Sequence, residues 1–216
     1  MKQGWFQYFY YNFWCYAIRI ISAVYFRIRY NFEEEFPREG KVVLVANHQS
    51  FLDPPLIGIG LPRQAHYMAR DTLFRGLLGW HISHLNAYPI SRDKNPVAGI
   101  KETLKRLKHG EAVLIFPEGT RSEDGELQPF HAGIIAVAKR SGAPIVPCAI
   151  DGAHRALPRK AFFPLPRKIV VKYGKIITPE EIREYSEEEL LNLLSERVAE
   201  LFYSIRNPKA TEKKEV

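Results

Sequence analysis

The sequence predicts an α/β fold, a layered and mostly parallel sheet flanked by helices, with an N-terminal interfacial aromatic helix or helical hairpin. From residue 41 onward, short apolar runs rich in β-branched residues alternate with longer amphipathic runs. Before that region, aromatic residues fill nine of the twelve positions from 5 to 16. The chain has 216 residues and a globular composition, so a sizeable core is expected. We expect a membrane-interface helical segment at 1–31, the α/β domain at 32–207 and a polar tail at 208–216.

The aromatic segment is typical of a helix that lies in the interface of a membrane. Its charge-free stretch, 3–18, is dominated by tyrosine and tryptophan and falls short of the ~20 apolar residues that a membrane span needs. Tyrosine and tryptophan favour the headgroup level, where the ring is buried and its polar atom stays wet. The segment lacks the Leu/Ala-rich region and the cleavage site of a secretory signal. The alternative is an aromatic-rich helix packed on the protein's own core. The predicted membrane-binding residues are Trp5, Phe6, Phe9, Phe13, Trp14, Arg19 and Arg27, with the arginines placed for lipid phosphates.

Turn residues divide the rest of the chain into strands and helices. Short apolar runs predict strands, and runs of helical period that end at glycine predict helices. The strands are expected at 41–48, 65–70, 87–91, 112–116, 144–150 and 168–178, the last of them half-exposed. The helices are expected at 53–58, 72–85, 96–110, 130–142 and 186–205.

The charge balance points to an anionic partner. Lysine and arginine number 31 against 24 aspartate and glutamate, which gives a net charge of +7. This excess leaves nucleic acid, an anionic membrane and phosphorylated metabolites open. Cys15 and Cys148 are the only two cysteines and have no CxxC spacing, so they cannot build a zinc ribbon or a disulfide framework, and free thiols are expected.

A histidine and an aspartate follow the first predicted strand of the sheet. His48 and Asp53 lie in ANHQSFLDPP, where Asp53 and Pro54 are typical of a helix N-cap and first turn. Five helical steps rotate a side chain by ~140° net, so the two could not face each other on one regular helix. His48 must therefore lie in the turn, where one ring nitrogen can bond the carboxylate and the other can act as a general base. The alternative is that Asp53 only caps its helix and His48 only fills a loop.

A second loop, FPEGTRS at 116–122, has the features of an anion cradle after another strand. Gly119 allows close backbone approach, Thr120 offers a hydroxyl, and Arg121 offers a two-pronged guanidinium for phosphate. The alternative is a local salt bridge between Glu118 and Arg121. The GxxxxGK[ST] phosphate loop does not occur in the sequence.

Together, these two blocks resemble the glycerolipid acyltransferase family, typified by 1-acylglycerol-3-phosphate (lysophosphatidic acid) acyltransferase. NHQSFLD is similar to the family's His-x-x-x-x-Asp block and FPEGTRS to its glycerol-phosphate-binding block, in the family's order and approximate separation. AYPISRD at 87–93 and IVPCAIDG at 145–152 resemble two further blocks. The chain departs from the family at Ser91, where an aspartate is usual, and at Arg70, where a lysine is usual.

The resemblance implies an enzyme that moves an acyl group from an acyl thioester to the free hydroxyl of a lysophospholipid. The donor would be acyl-CoA or acyl carrier protein, and the acceptor 1-acylglycerol-3-phosphate, giving phosphatidic acid. His48 would be the general base and Asp53 would orient its imidazole. The implied substrate-binding residues are Arg70, Arg92, Glu118, Gly119, Thr120 and Arg121. No metal or cofactor is implied.

The expected partners are the thioester donor, the lysophospholipid acceptor and an anionic membrane surface, and not nucleic acid. We expect a peripheral or monotopic protein on the cytoplasmic face of the membrane. Three alternatives remain open: another lysolipid acceptor such as a lyso-aminolipid, a metal phosphohydrolase, and a non-catalytic basic membrane-binding module. The metal reading would use His48, His81 and His84, whose spacings fit no metal motif. The membrane-binding module would leave the pair of His48 and Asp53 unexplained.

Overall fold

The computed structural model of the protein describes residues 4–90 and 96–208, and the predicted α/β fold is confirmed. Within those residues, seven strands form one sheet and helices pack on both of its faces. The strands are β1 (Arg29–Phe32), β2 (Val42–Ala46), β3 (Ala65–Arg70), β4 (Ala87–Ile90), β5 (Ala112–Ile115), β6 (Ile145–Asp151) and β7 (Val170–Tyr173). The helices are α1 (Trp5–Tyr25), α2 (Asp53–Gly60), α3 (Gly76–His84), α4 (Pro96–Lys108), α5 (Gly133–Ser141), α6 (Ala153–Ala156), α7 (Pro179–Glu184) and α8 (Glu187–Arg206).

The sheet is parallel apart from one strand pair. Its order is β1-β7-β6-β2-β5-β3-β4, and only β6 and β7 are antiparallel neighbours among the described strands. β2, β5 and β6 are completely buried, as strands covered by helices on both faces must be, which explains their unbroken apolar sequences. Because β2, β3, β5 and β6 run in the same direction, the loops that follow them open at one edge of the sheet.

Two helical layers enclose the sheet. Leu56 of α2 packs with Leu44 of β2 on one face, and Ile18 of α1 packs against the same cluster. Ile134 of α5 and Leu194 of α8 belong to the core on the other face, together with residues of α4 and α7. Both cysteines are free, as the sequence predicts.

The ends of two helices follow from local sequence. Ser186 and Glu189 form a reciprocal capping box at the start of α8, in which each side chain accepts the other's backbone N–H. α5 ends at Gly142, whose φ of 55° is the left-handed conformation that glycine adopts easily. Both boundaries agree with the predicted ones to within one residue.

Several predicted elements are shorter in the structure, β7 and α3 most of all. β7 occupies only residues 170–173 of the strand expected at 168–178. α3 begins at Gly76 and not at residue 72, because Gly76 has a φ of 58° that breaks the helical path. The alternating pattern of the strand and the apolar period of the helix both extend beyond the regular structure.

The N-terminal segment forms one helix and not a helical hairpin. α1 ends at Tyr25, and Arg27, with a φ of 46°, turns the chain into β1, which pairs with β7. The last residues of the segment expected at 1–31 therefore lie in the sheet. Among residues 4–90 and 96–208, no helix is long and apolar enough to cross a membrane. The tail expected at 208–216 lies outside the described residues apart from Pro208.

Candidate active site

Two motif loops lie side by side because their strands are parallel neighbours. β2 leads into the loop of His48, and β5 leads into the loop at 116–122. Ser122 donates its backbone N–H to the carbonyl oxygen of His48 at 2.8 Å, and Gln49 donates its side-chain amide to the carbonyl oxygen of Gly125 at 2.7 Å. The two loops are thus joined by hydrogen bonds at the carboxyl edge of the sheet, where α/β proteins bind ligands.

His48 and Asp53 form the hydrogen-bonded pair that the sequence predicts. The Nδ1 atom of His48 lies 2.8 Å from Oδ2 of Asp53. The side chain of Asp53 is fully buried, whereas 16% of the His48 side chain remains exposed. With Nδ1 donating to the carboxylate, Nε2 carries the free lone pair, and it makes no hydrogen bond with the described residues. The pair therefore presents a basic nitrogen to the edge of the sheet.

Asp53 does not cap its helix, so that part of the prediction is wrong. It is the first residue of α2, Leu52 occupies the N-cap position, and no side-chain cap is formed. Instead, Oδ2 of Asp53 accepts the backbone N–H groups of Gln49 and Ser50 at 2.5 and 2.7 Å. The carboxylate of Asp53 thus holds both the imidazole ring of His48 and the turn that contains this residue. This argues against the alternative that Asp53 only caps its helix.

The ring of Phe116 stacks on the imidazole of His48 and supports it, a role that the sequence analysis did not assign. The rings of His48 and Phe116 stack with centroids 4.1 Å apart and an angle of 19° between their planes. Phe116 is the residue that follows β5, so its position across from His48 results from the pairing of β2 with β5. The ring restricts the rotation of the imidazole and leaves its Nε2 edge free.

Two further polar residues hold the turn that contains His48, and the sequence analysis did not single them out. Asn47 is buried and makes both side-chain hydrogen bonds to the backbone of Ile150 in β6, at 3.0 and 2.9 Å. Ser50 is buried and donates its hydroxyl to the carbonyl oxygen of Leu157 at 2.9 Å. Asn47 and Ser50 are polar residues close to His48 in sequence, which is a clue to their role. Their hydrogen-bond partners, however, come from distant parts of the chain.

The second loop turns sharply at a glycine and presents its next side chains to solvent. Gly119 has a φ of 68°, which strains any other residue, and a Cβ atom there would lie 2.9 Å from Cδ2 of His131, so the imidazole would have to shift. Thr120 is exposed. His131 donates its backbone N–H to Pro117 at 2.9 Å, which holds this segment against the loop and delays the start of α5 to Gly133.

Arg121 does not pair with Glu118, so the local salt bridge is excluded. The guanidinium carbon of Arg121 lies 3.6 Å from the centroid of the Phe51 ring, a cation–π contact. Partial burial and the neighbouring Arg159 and Arg70 lower the pKa of Arg121. Cations that destabilise one another in this way favour an anion between them.

The other predicted phosphate contacts divide between the described and the undescribed parts of the chain. Arg70 is exposed at the end of β3, on the same edge of the sheet as His48. Arg92 lies outside the described residues.

Glu118 faces the interior and not the open edge. Glu118 is 2% exposed. Burial raises the pKa of its carboxyl group to about 8, and the charge of Asp53 makes a smaller contribution in the same direction. The backbone N–H groups of His48 and Gln128 lower this pKa and so oppose the effect of burial. Within the described residues, neither carboxyl oxygen of Glu118 has a partner in hydrogen-bonding geometry. At neutral pH the group is mostly protonated, so it does not repel an anion bound beside it.

An apolar cavity of about 390 Å³ adjoins the loop at 116–122, whose Phe116 ring stacks on His48. It extends from Phe116 and Gly119 into the space between the sheet and the helices α4 and α5. Its apolar wall is formed by Met68, Ile90, Ile100, Ile115, Ile134 and Val137. A cavity with one polar end and a long apolar body suits an amphipathic ligand.

α1 divides into a face packed on the protein and a face exposed to solvent. Tyr11 is buried, and Trp14 is half-buried with its ring 4.9 Å from that of His81 in α3. The guanidinium of Arg19 donates to the carbonyl oxygens of Ile59 and Leu61 at 2.7 and 3.1 Å, and this engages it with the end of α2. Of the predicted membrane-binding residues, Trp5, Phe6, Phe9, Phe13 and Arg27 are exposed, with Trp5 82% exposed, and Tyr8 and Tyr16 are exposed too.

The histidines of α3 do not join His48. Nδ1 of His81 lies 2.6 Å from the hydroxyl of Tyr10, and His84 packs on the rings of Tyr10 and Trp80. In the described part of the chain, no group of three histidine, cysteine, aspartate or glutamate side chains is placed to hold a metal ion.

Comparison with known proteins places these features in a family. A family model described as Acyltransferase matches residues 27–151. A 1-acyl-sn-glycerol-3-phosphate acyltransferase of Bacillus subtilis (strain 168) is 33% identical over 144 residues, which cover 66% of this chain and 71% of that protein. A chloroplastic 1-acyl-sn-glycerol-3-phosphate acyltransferase of Brassica napus is 34% identical over 119 residues, 54% of this chain and 34% of that one. The crystal structure of the 1-acyl-sn-glycerophosphate (LPA) acyltransferase PlsC from Thermotoga maritima superimposes with a TM-score of 0.73 at 26% identity, covering 91% of this chain and 82% of the other.

Proposed function

The chain belongs to the acyltransferase family, and on that premise we propose that it transfers a fatty acyl group from an acyl thioester to 1-acylglycerol-3-phosphate, giving phosphatidic acid. The names of its relatives support this acceptor. The observation that carries the proposal is the hydrogen-bonded pair of His48 and Asp53 beside the loop of Arg121. A base next to a cationic loop is what a reaction on the hydroxyl of a phosphorylated acceptor requires.

The reaction begins at the free Nε2 atom of His48. This nitrogen takes the proton of the acceptor hydroxyl as the hydroxyl oxygen attacks the thioester carbonyl carbon. Asp53 holds the tautomer and stabilises the imidazolium that forms. The carbon–sulfur bond then breaks, and the imidazolium returns its proton to the leaving thiolate. The step is balanced without a metal or a cofactor, because the thioester is already activated.

The phosphate of the acceptor is held by the cationic loop. The side chain of Arg121 supplies the fork, Arg70 and Arg92 add charge, and the hydroxyl of Thr120 donates a hydrogen bond. Gly119 contributes close backbone approach. Glu118 contributes differently from an ordinary ligand, because its buried and mostly protonated carboxyl group leaves the charge of the cations undiminished.

The apolar cavity holds an acyl chain during transfer. Its wall between Met68 and Val137 has no charge to bury with the chain, and its polar end lies at Phe116 and Glu118. A carbonyl at that end is next to His48, because Phe116 contacts both the cavity and the imidazole.

The acceptor reaches the site from a membrane, to which residues 1–31 bind. The exposed aromatic face of α1 enters the headgroup layer, and Arg27 binds a lipid phosphate. Arg19 and Trp14 serve instead to hold α1 on the protein. Residues 32–207 carry the acyltransferase chemistry, with the sheet beginning at β1, and the protein is peripheral or monotopic on the cytoplasmic face, where thioester donors are available.

One panel of substrates tests the proposed function. The purified protein is incubated with acyl-CoA or acyl carrier protein donors and with 1-acylglycerol-3-phosphate, other lysophospholipids or a lyso-aminolipid, and products are identified by mass spectrometry. Phosphatidic acid formed in preference to the other products supports the proposal. Transfer only to another lysolipid would change the acceptor, and vesicle binding without any transfer would favour a non-catalytic membrane-binding module.

Point substitutions test the membrane contact better than deletion of the N-terminus. Removal of residues before 31 would expose the core around Tyr11 and interrupt β1. The variant Trp5→Ser/Phe9→Ser/Phe13→Ser changes only exposed side chains and should lower binding to vesicles at least about tenfold. Binding at the level of the unchanged protein would argue that α1 does not contact lipid.

A further inference from the structure

A second exposed apolar surface lies far from α1 in sequence, in the loop at 157–168 between α6 and β7. Phe162 is 93% exposed and Phe163 is 83% exposed, and Leu165 is 49% exposed. Phe162 is the most exposed large apolar side chain of the described residues. Two adjacent phenylalanines held in water have a free-energy cost that a soluble loop has no reason to carry, so this tip has the composition of a binding surface.

Cations flank the apolar tip on both sides. Arg159 and Lys160 precede it, and Arg167 and Lys168 follow it, all four exposed. The sequence from 158 to 168 contains no acidic residue. An apolar tip between cations is complementary to an anionic bilayer, whose acyl region accepts the rings while its phosphates bind the charges.

The loop is ordered by contacts that leave the phenylalanines outside. Leu165 donates its N–H to the carbonyl oxygen of Ala156 at 2.7 Å, and the hydroxyl of Tyr25 donates to that of Pro164 at 2.9 Å. Prolines at 158, 164 and 166 restrict the backbone further. A preformed tip loses little conformational entropy when it binds.

The loop at 157–168 lies between α1 and the opening of the active site, which is formed by Phe51 and Arg121. Pro164, Tyr25 and Leu52 line one apolar groove, in which α1, the loop and the turn that contains His48 meet. Leu52 follows Phe51, on whose ring Arg121 lies. From the other end of the loop, Arg159 pairs with Glu123 at 2.9 Å, directly after the FPEGTRS segment.

We propose that the loop at 157–168 is a second membrane anchor, which inserts Phe162 and Phe163 into an anionic bilayer while Lys160, Arg167 and Lys168 bind lipid phosphates. This proposal rests on the membrane-borne acceptor of the proposed function. α1 alone would allow the protein to roll about the helix axis. A second contact, beyond the groove, fixes the orientation of the protein on the bilayer. It holds the opening of the active site, at Phe51 and Arg121, against the surface from which the acceptor is taken.

Vesicle sedimentation of the full-length protein tests the anchor without relying on catalysis. The vesicles are phosphatidylcholine, with or without phosphatidylglycerol. One variant is Phe162→Ser/Phe163→Ser, and its matched control is Tyr203→Ser, which removes an exposed ring from α8 on the opposite layer.

A second pair of variants tests the cations of the same loop. Lys160→Gln/Arg167→Gln is compared with Lys101→Gln/Lys108→Gln on α4, where both lysines are exposed. Thermal unfolding shows that each variant is folded.

The phenylalanine variant should bind both kinds of vesicle about tenfold more weakly than the unchanged protein. The loop-charge variant should lose affinity only for vesicles that contain phosphatidylglycerol, and the two control variants should bind as the unchanged protein does. Unchanged binding by the phenylalanine variant would overturn the proposal. If that variant binds vesicles normally but no longer self-associates in gel filtration, the phenylalanines pack against a second protein copy and the bilayer assignment is wrong. Because binding is measured without substrates, failure of the anchor is distinguishable from failure of the proposed acyl transfer.

Discussion

Replacement of Glu118 by glutamine should remove a large pH dependence from the stability of the protein. The carboxyl group of Glu118 is buried near His48 and Asp53, and its pKa is raised from an ordinary value of 4.5 to about 8. Glutamine has nearly the same shape and is neutral at every pH. The variant Glu118→Gln therefore imitates the protonated form that the fold prefers, and any difference from the unchanged protein must come from the titration of this one group.

The sign of the effect follows from proton binding in the two states. Below pH 4.5 the glutamate is protonated in both the folded and the unfolded chain, so the free energy of unfolding does not depend on it. Between pH 4.5 and about 8 the unfolded chain loses the proton and the folded protein keeps it, so stability falls by about 1.4 kcal/mol per pH unit. The loss levels off above the raised pKa, after a total of up to about 5 kcal/mol.

Urea unfolding at pH 5, 6, 7 and 8 measures this difference. We expect the advantage of Glu118→Gln over the unchanged protein to grow steadily across the series, and to exceed about 2 kcal/mol at pH 8. Glu196→Gln, at an exposed position of α8, is the matched control and should show no such trend. A difference that is the same at every pH would refute the reasoning, because it would mean that Glu118 is ionised in the folded protein.

Three other substitutions test the geometry of the site. Asp53→Asn should lower kcat by about 10²- to 10⁴-fold, since the amide can favour the wrong imidazole tautomer, and a loss under about fivefold would deny Asp53 its orienting role. Arg121→Lys keeps the charge but loses the fork, so KM should rise about tenfold for a phosphomonoester acceptor and less for a neutral lysolipid, with Arg140→Lys as control. Equal effects on both acceptors would argue against phosphate binding. Phe116→Leu should lower kcat about two- to tenfold with little change in KM, whereas Phe116→Tyr should retain most activity. Full activity in the leucine variant would show that the stacked ring does not position His48.

The hydrogen-bonded pair of His48 and Asp53 was predictable because its evidence is local. His48 and Asp53 follow a buried strand within a few residues, and the geometry of a helix already places the histidine in the turn. The residues that support this pair could not be predicted in the same way. Phe116 and Asn47 act through contacts with neighbouring strands, and such contacts depend on the strand order β6-β2-β5, which the sequence pattern does not fix.

The same limit explains the residues whose surroundings differ from expectation. Arg19 was expected at lipid phosphates, but α1 packs across α2 and brings the guanidinium to the carbonyl oxygens of Ile59 and Leu61, at the end of α2 and just after it. Glu118 was expected at the acceptor phosphate, but the turn at Gly119 directs it inward. In both cases the residue type indicates a charge–charge contact, and tertiary packing decides which partner is within reach.

The most direct test of the account is the rate of acyl transfer by the variant His48→Ala, measured together with its binding to vesicles. The assay follows phosphatidic acid formation and thiol release from an acyl thioester donor. The account predicts that both fall by about 10²- to 10⁴-fold, because the base that takes the hydroxyl proton is gone, while vesicle binding and the thermal unfolding temperature stay close to those of the unchanged protein. Turnover within a few-fold of the unchanged protein would contradict it, because His48 could not then be the general base.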